Sequence, residues 1–204
     1  MKRIIFLLIF ISAVSALYAL KSYTVMSRGI VRDNSTGLYW TRCPLTNGDV
    51  PIYDFQCDGS KKLYTWAEAV EACNKLVHEG RSDWRLPSVK ELESIVFHYH
   101  YVTGELNYSQ VVESVFPNAV TLVEIASDYY EGTFLGVPYE AYCDTAKDGN
   151  CYEHYWSSTS LNAGAVLVVN FYSGGTQWDA KTYTDSETSE TKYKYKSVRC
   201  VAGP

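Results

Sequence analysis

The sequence predicts an α+β domain, and three observations lead to that class. Two segments show the helical spacing of apolar residues, and each opens with a capping box. The segments that follow them are short, apolar and bounded by turn-forming residues, as strands are. The length of 204 residues, 47% of them hydrophobic, suits one domain with a buried core. We therefore expect a single domain over residues 25–204.

The helix predictions depend on the first turn of each helix. Thr65 is followed three residues later by Glu68, and Ser88 by Glu91, so both side chains of each pair can satisfy backbone N–H groups. The first helix is expected to end at Gly80. Its apolar face consists of Trp66, Ala69, Val70, Cys73, Leu76 and Val77. The apolar face of the second helix consists of Val89, Leu92, Ile95, Val96 and Tyr99.

The other segments read as strands, turns and one long loop. Residues 26–40 predict a strand, a turn and a strand, because Asp33 to Gly37 is dense in turn formers. Residues 124–151, rich in Tyr, Gly and acidic residues, predict a long loop, and loops of that length are usually functional or mobile. Further strands are expected at 155–156, 165–172 and 198–202, a turn at 174–175, and a hairpin arm over 185–196.

The N-terminus has the order of a secretory signal peptide. Lys2 and Arg3 precede the apolar residues 4–11, and Val14-Ser15-Ala16 fits a signal-peptidase site. An uncleaved anchor is the alternative, although the apolar run is shorter than the about 20 residues that span a bilayer. We expect a signal peptide over residues 1–16 and a protein that is secreted, periplasmic or on the cell surface. Its six Cys are then expected to be oxidised.

The charge balance argues against one class of partner. The chain carries 18 Lys and Arg against 23 Asp and Glu, which gives a net charge of −5. Binding to phosphates needs a cationic surface. We therefore expect no nucleic-acid partner.

Five sequence blocks resemble a bacterial family, in the family's order over residues 30–202. The most specific blocks are Trp84-Arg85-Leu86-Pro87 and Tyr155-Trp156-Ser157-Ser158-Thr159. The other three are Val31-x-Asp33-x-x-Thr36-Gly37-Leu38-x-Trp40, Trp66-x-x-Ala69-x-x-x-Cys73 and Val198-Arg199-Cys200-Val201. By these blocks the chain resembles the Lcl C-terminal domain family, named for the C-terminal domain of a collagen-like bacterial adhesin.

The resemblance implies a C-type-lectin-like fold. In that fold two helices pack on a small twisted antiparallel sheet with long loops, and the chain ends lie together. A helix Cys pairs there with a Cys on the last strand, which implies Cys73–Cys200 in this chain. Such a closure would stabilise the domain by about 4–5 kcal/mol in the chain-entropy model. Cys43–Cys57 and Cys143–Cys151 are then expected as local pairs.

The two most specific blocks are interpreted as scaffold, with a functional role as the alternative. Trp84 is expected to anchor the core, and Arg85 to be a buried or half-buried guanidinium whose donors connect loops. The hydroxyls of Ser157, Ser158 and Thr159 are expected to satisfy backbone groups of loops.

No cofactor is expected, and two weak metal candidates are kept as alternatives. Calcium-dependent lectins of the implied fold combine loop acids with a Trp-Asn-Asp strand, whereas this chain has Trp178-Asp179 after Gln177. His98 and His100 would share a face only on an extended segment. The calcium candidates are Asp144, Asp148 and Asn150, which do not follow EF-hand spacing.

The sequence favours a secreted, non-catalytic binding or adhesion module for an extracellular glycan or protein surface. Tyr offers a large, rigid contact area with a polar tip. Trp178 is a further candidate, at a strand edge. Lys192, Lys194 and Lys196 are expected to share one strand face, suited to the sulfated polysaccharides that the resemblance implies for some relatives. The loop candidates are Tyr129, Tyr130, Tyr139 and Tyr142, for which aromatic packing within the loop is the alternative.

Two other functions are kept open. A structural envelope component would self-associate into homo-oligomers. An enzyme is less favoured, because the sequence has no Gly-x-Ser-x-Gly elbow and no His-Glu-x-x-His motif. The Arg-Leu-Pro block also resembles the formylglycine-generating enzyme family. That chemistry needs reactive cysteines near the C-terminus, where this sequence has only Cys200.

Overall fold

A computed structural model describes residues 22–27, 29–46, 57, 62–96, 115–116, 150–171 and 174–203. This part of the chain is α+β, with two helices and ten strands. The predicted class is therefore confirmed. The predicted signal peptide lies outside the described residues.

The two helices, α1 and α2, start where the capping boxes predicted. Helix α1 spans Trp66–Lys75, and the amide of Thr65 donates to the Glu68 carboxylate at 2.9 Å. Helix α2 spans Val89–Ile95, and the amide of Ser88 donates to the Glu91 carboxylate at 2.7 Å. In each box the capping hydroxyl accepts from the glutamate amide. Local chemistry thus fixes both starts.

The predicted helix ends are wrong. Helix α1 stops before Gly80, and Val77, expected on its apolar face, is 73% exposed. The backbone amides and carbonyls of His78 and Arg81 exchange two hydrogen bonds, and Gly80 turns the chain between them at φ +76°. This tight turn uses the backbone groups that another helical turn would need. Helix α2 likewise stops at Ile95, because Val96 is extended.

The first sheet joins the two ends of the domain. Its strands are antiparallel, and the turn between β2 and β3 lies at Asp33 to Gly37, as predicted. The last strand pairs with β3, so residues close to the C-terminus complete a sheet built near the N-terminus. In spatial order the strands are β1 (Tyr23–Val25), β2 (Ile30–Asp33), β3 (Tyr39–Thr41) and β10 (Val201–Ala202).

The second sheet is mixed, which corrects the expectation of one small antiparallel sheet. Strand β9 runs parallel to β4, because the chain passes through a hairpin and returns alongside it. The hairpin consists of β7 (Thr182–Thr184) and β8 (Thr191–Tyr193). The predicted arm over 185–196 contains β8, whereas β7 precedes it. In spatial order the sheet strands are β6 (Thr176–Ala180), β5 (Ala165–Asn170), β4 (Asn150–Ser160) and β9 (Tyr195–Ser197).

The two faces of the second sheet bury different clusters of side chains. Trp156 and Val168 are cross-strand partners and pack in the cluster that contains the apolar face of α1. Tyr155 and Val169 point to the opposite face and pack in the cluster that contains α2. Trp84, 2% exposed, anchors the first cluster as predicted. Each helix therefore covers one face of the same sheet.

One long-range and one local disulfide are present among the described residues. Cys73 on α1 is bonded to Cys200, next to β10, with Cα atoms 5.5 Å apart. Cys43 is bonded to Cys57, with Cα atoms 5.6 Å apart. Both pairs agree with the expectation. The expected third pair lies outside the described residues, because neither Cys143 nor the side chain of Cys151 is described.

Candidate ligand-binding surface

The Trp-Arg-Leu-Pro block is part of the scaffold. The guanidinium of Arg85 donates to both carboxylate oxygens of Glu91, at 2.8 and 2.6 Å. These bonds are the main reason that the pKa of Glu91 is lowered to about 2. The backbone of Arg85 exchanges two hydrogen bonds with Val201. The guanidinium is half-buried, as predicted, but it holds the first turn of α2 and does not connect two loops. The link to strand β10 is made by the backbone of Arg85.

Two hydroxyls of the Tyr-Trp-Ser-Ser-Thr block, those of Ser157 and Thr159, satisfy backbone groups as predicted, whereas Ser158 is exposed. The hydroxyl of Ser157 donates to the carbonyl of Leu167 at 2.6 Å. The hydroxyl of Thr159 accepts from the amide of Val89, the first residue of α2, at 3.0 Å. Ser157 therefore joins β4 to β5, and Thr159 joins the sheet to the start of α2.

The lysines predicted to form a basic face do not do so. Lys194 and Lys196 are 8% and 0% exposed, and both ammonium groups bind the carboxylate of Asp179, at 2.7 and 2.6 Å. Lys192 lies on the hairpin and pairs with Asp185. The prediction of one shared exposed face is therefore wrong. Its physical reason is the buried carboxylate on β6, which draws cations into the interior.

Two ion pairs to one carboxylate hold the buried cluster of Asp179, Lys194 and Lys196 together. Burial alone would raise the pKa of Asp179, but the ammonium groups of Lys196 and Lys194 outweigh it and lower the pKa. We call these three residues the buried triad. Its carboxylate comes from one edge strand of the second sheet, and Lys196 comes from the other edge strand.

His154 lies beside the buried triad as a neutral imidazole. The amide nitrogens of Gln177 and Asn170 lie 3.0 and 3.4 Å from its Nε2 and donate to it. Burial lowers the pKa of His154 to about 3, and the charges of Lys196 and Lys194 act in the same direction. This imidazole is therefore held as a hydrogen-bond acceptor and does not titrate near neutral pH.

Trp178 lies on an open sheet edge, as predicted. Its side chain is 66% exposed on β6, which pairs only with β5 among the described strands. The amide of Asn170 donates to the carbonyl of Gly175, so these two residues form a hydrogen-bonded pair. Along an antiparallel ladder, hydrogen-bonded and non-hydrogen-bonded pairs alternate from that point. Trp178, opposite Leu167, falls in a non-hydrogen-bonded pair. Its backbone N–H and C=O therefore point away from β5.

Tyr193 and Tyr195 are exposed residues that the sequence reasoning missed. They are 59% and 37% exposed, and they alternate with the buried lysines. The alternation of Tyr and Lys was visible in the sequence. The alternation correctly placed the tyrosines and the lysines on opposite faces of the chain, but it did not indicate which of these faces is exposed to solvent.

Several predicted site residues lie outside the described residues, and only the backbone of Asn150 is described. They are Tyr129, Tyr130, Tyr139, Tyr142, Asp144, Asp148, His98 and His100. Within the described ranges, no group of three or more His, Cys, Asp and Glu side chains is placed to hold a metal ion. Helices of membrane-spanning length and hydrophobicity do not occur in these ranges either.

The fold and surface define a class: a disulfide-linked α+β domain with scaffold-forming motif blocks and aromatic side chains exposed on its strands. The family model of the Lcl C-terminal domain matches residues 29–202. The chain belongs to this family, and the resemblance seen in the sequence is confirmed. No curated protein matches the chain.

Proposed function

We propose that the protein is an exported, non-catalytic binding module that recognises an extracellular glycan or protein surface. The observation that carries this proposal is the set of aromatic side chains on exposed strand faces: Trp178, Tyr193 and Tyr195. Large aromatic rings normally lose solvent contact on folding, because their burial is strongly favourable. Rings that stay exposed on ordered strands are available to a ligand.

A C-type-lectin-like fold is part of this proposal. The order of two helices followed by strands supports it, as does the disulfide from α1 to the residue before the last strand. The pairing of β10 with β3 also brings the two ends of the domain together.

Export is supported by the cysteines and by the N-terminal pattern. Disulfides persist in oxidising compartments, and two are present among the described residues. The basic, apolar and small residues at the start of the chain have the order of a signal peptide. N-terminal sequencing of the exported protein tests this. The expected first residue follows Ala16, whereas retention of Met1 would favour an anchor.

A non-catalytic role is supported by the bonding of the candidate reactive groups. Cys200, the cysteine near the C-terminus, is bonded to Cys73, so it offers no thiolate for chemistry of the formylglycine-generating type. His154 is buried and accepts hydrogen bonds from two amides. A thiol count on the exported protein tests the first point. Six paired cysteines are expected, and a reactive free thiol would favour the enzyme alternative.

The binding proposal is tested with an array of glycans and extracellular-matrix proteins, probed with the oxidised full-length mature chain with and without calcium. Binding that Trp178→Ala or a Tyr193→Ala, Tyr195→Ala double variant weakens would support it. Val77→Ala is the matched control, because Val77 is also an exposed apolar residue but follows helix α1 and is not part of these strands. Absence of binding in every arm would contradict the proposal. Dependence on calcium would favour the calcium alternative.

A structural envelope component that self-associates is the second candidate, and the open edge of β6 favours it. The outward N–H and C=O groups at Trp178 can pair with a strand of another copy. Sedimentation of the purified chain separates the candidates. A dimer that Trp178→Lys converts to a monomer would support self-association, because an edge lysine blocks strand pairing. A monomer at all concentrations would contradict it.

A further inference from the structure

In the stretch from Tyr193 to Lys196, the side chains that are usually exposed are buried, and those that are usually buried are exposed. Its four side chains alternate Tyr, Lys, Tyr, Lys and are 59%, 8%, 37% and 0% exposed. Lysine is almost never fully buried unless it is paired, and tyrosine is more often inside. Here the lysines point inward and the tyrosines point outward.

The buried triad explains this reversal. Both ammonium groups reach the carboxylate of Asp179 from the same side of the chain, at 2.7 and 2.6 Å. Because successive side chains on an extended chain point to opposite sides, Tyr193 and Tyr195 point away from Asp179 together. A shift of one residue would bury the tyrosines and leave a buried carboxylate without its cations, which is strongly unfavourable. The ion pairs therefore fix the tyrosine pair on the surface.

We propose that the tyrosine pair, Tyr193 and Tyr195, is a binding site for a neutral glycan. This inference rests on the proposed binding function and names the site and the class of ligand. Tyr193 ends β8 and Tyr195 begins β9, with Lys194 between them. Residues two apart in an extended chain are separated by about 6–7 Å. Two phenol rings at that spacing offer flat apolar faces to the C–H groups of sugar rings, and their hydroxyls offer hydrogen bonds to sugar hydroxyls. Tyrosine also loses little conformational entropy when it binds.

The charges around the tyrosine pair disfavour an anionic ligand. The neighbouring lysines all have partners within the protein. Lys194 and Lys196 are buried, and Lys192 is bonded to Asp185. Lys181, next to Lys194, donates to the carbonyl of Ala163 and lies over the ring of Trp66. The tip of the hairpin adds exposed carboxylates at Glu187 and Glu190. This surface repels polyanions such as sulfated polysaccharides.

The polarity of the surface disfavours a protein partner. A stable protein interface has an apolar centre that is depleted of Glu. Around the tyrosine pair the hairpin contributes threonines and glutamates, including Thr182 opposite Tyr193. Isolated rings among hydroxyl groups fit a sugar better than a hydrophobic protein face.

The test is calorimetric titration of the oxidised mature chain with neutral hexasaccharides: cellohexaose, maltohexaose, xylohexaose and chitohexaose. A heparin-derived hexasaccharide is the polyanionic comparison. We expect binding to at least one neutral probe and a loss of at least about tenfold in affinity for the Tyr193→Ala, Tyr195→Ala variant. The Tyr193→Phe, Tyr195→Phe variant should keep most of the affinity, because the rings remain. Val77→Ala should bind like the wild type.

A second readout does not depend on substitution. Nitration of surface tyrosines, located by mass spectrometry, should modify Tyr193 and Tyr195 in the free protein, and the bound neutral hexasaccharide should protect both. Equal affinity of the wild type and the double Ala variant would overturn the site while leaving the binding function intact. Binding only to the heparin fragment or to a matrix protein would overturn the ligand class. Absence of all binding would overturn both proposals.

Discussion

Replacing Asp179 by Asn is expected to destabilise the fold severely. The substitution keeps the shape of the side chain but removes the negative charge that Lys194 and Lys196 share. Two ammonium groups would then remain buried close to each other. Neither can regain full hydration without moving β9 or the chain before it, because Lys196 is 0% exposed and Lys194 8%.

The magnitude follows from that burial. Removing one partner of a buried ion pair costs about 3–5 kcal/mol. In this protein one carboxylate serves two cations, so we expect the upper part of that range. Domains are typically stable by about 5–15 kcal/mol. Asp179→Asn is therefore expected to lose about a third or more of the stability of the domain at neutral pH.

The assay is urea unfolding of the oxidised protein, followed by tryptophan fluorescence. The control is a triple variant, Asp179→Leu with Lys194→Met and Lys196→Met, which replaces all three charges by apolar groups of similar size. We expect its free energy of unfolding to lie within about 2 kcal/mol of the wild type or above it. A loss below about 1 kcal/mol in Asp179→Asn would refute the reasoning. Equal losses in both variants would show that packing, not charge, is responsible.

The remaining predictions concern acid stability and the long disulfide. The pKa of Glu91 is about 2 when folded and 4.5 ordinarily, so its bond to Arg85 stabilises fully above pH 4.5 and is lost as pH falls toward 2. We expect this bond to contribute about 1–2 kcal/mol to the free energy of unfolding, reduced by solvent because the Arg85 side chain is 40% exposed. Urea titrations of Glu91→Gln should show no such loss at low pH. The pKa of His154 is about 3 when folded and 6.5 ordinarily, so the unfolded chain takes up this proton first and stability falls as pH drops from 6.5 toward 3. In acid titrations His154→Gln should have a shallower slope over that range. Thermal and urea unfolding of the Cys73→Ser, Cys200→Ser variant should show a loss of about 4–5 kcal/mol, since the bond closes a separation of 127 residues.

Each of these predictions has a contradicting result. Parallel acid titrations of Glu91→Gln and the wild type would mean that the bond to Arg85 contributes no stability. An unchanged slope in His154→Gln would mean that this histidine titrates alike in both states. A loss below about 1 kcal/mol in the double Ser variant would mean that the unfolded chain is already compact around the first helix.

The sequence predicted the features that depend on neighbouring residues. The starts of α1 and α2 were correct, because a capping box is complete within four residues. Their ends were not, because the turn at His78 and Arg81 and the extended Val96 depend on where the chain must go next. Cys73–Cys200 came from the family resemblance, since spacing alone does not specify a pairing.

The candidate site was harder to predict, because a residue distant in sequence decides which of its side chains face solvent. The alternation of Tyr and Lys over 192–196 indicates two faces but not their orientation. Asp179, on another strand, decides that the lysines are buried. Trp178 was predicted to lie at an edge and is exposed there. The parallel pairing of β9 with β4 was not predicted, because it depends on the path of the whole β7–β8 hairpin.

The pairing of β10 with β3 has a consequence for the order of assembly. The edge of the first sheet is completed by residues 201 and 202, which also receive the backbone bonds of Arg85 and follow the disulfide at Cys200. Strand β3 is synthesised almost a whole domain earlier and has no partner on that side until the end of the domain appears. Contacts so distant in sequence form late and slowly. The first sheet therefore reaches its full four strands only after residues 201 and 202 have been synthesised, so the domain can complete its fold only as a whole.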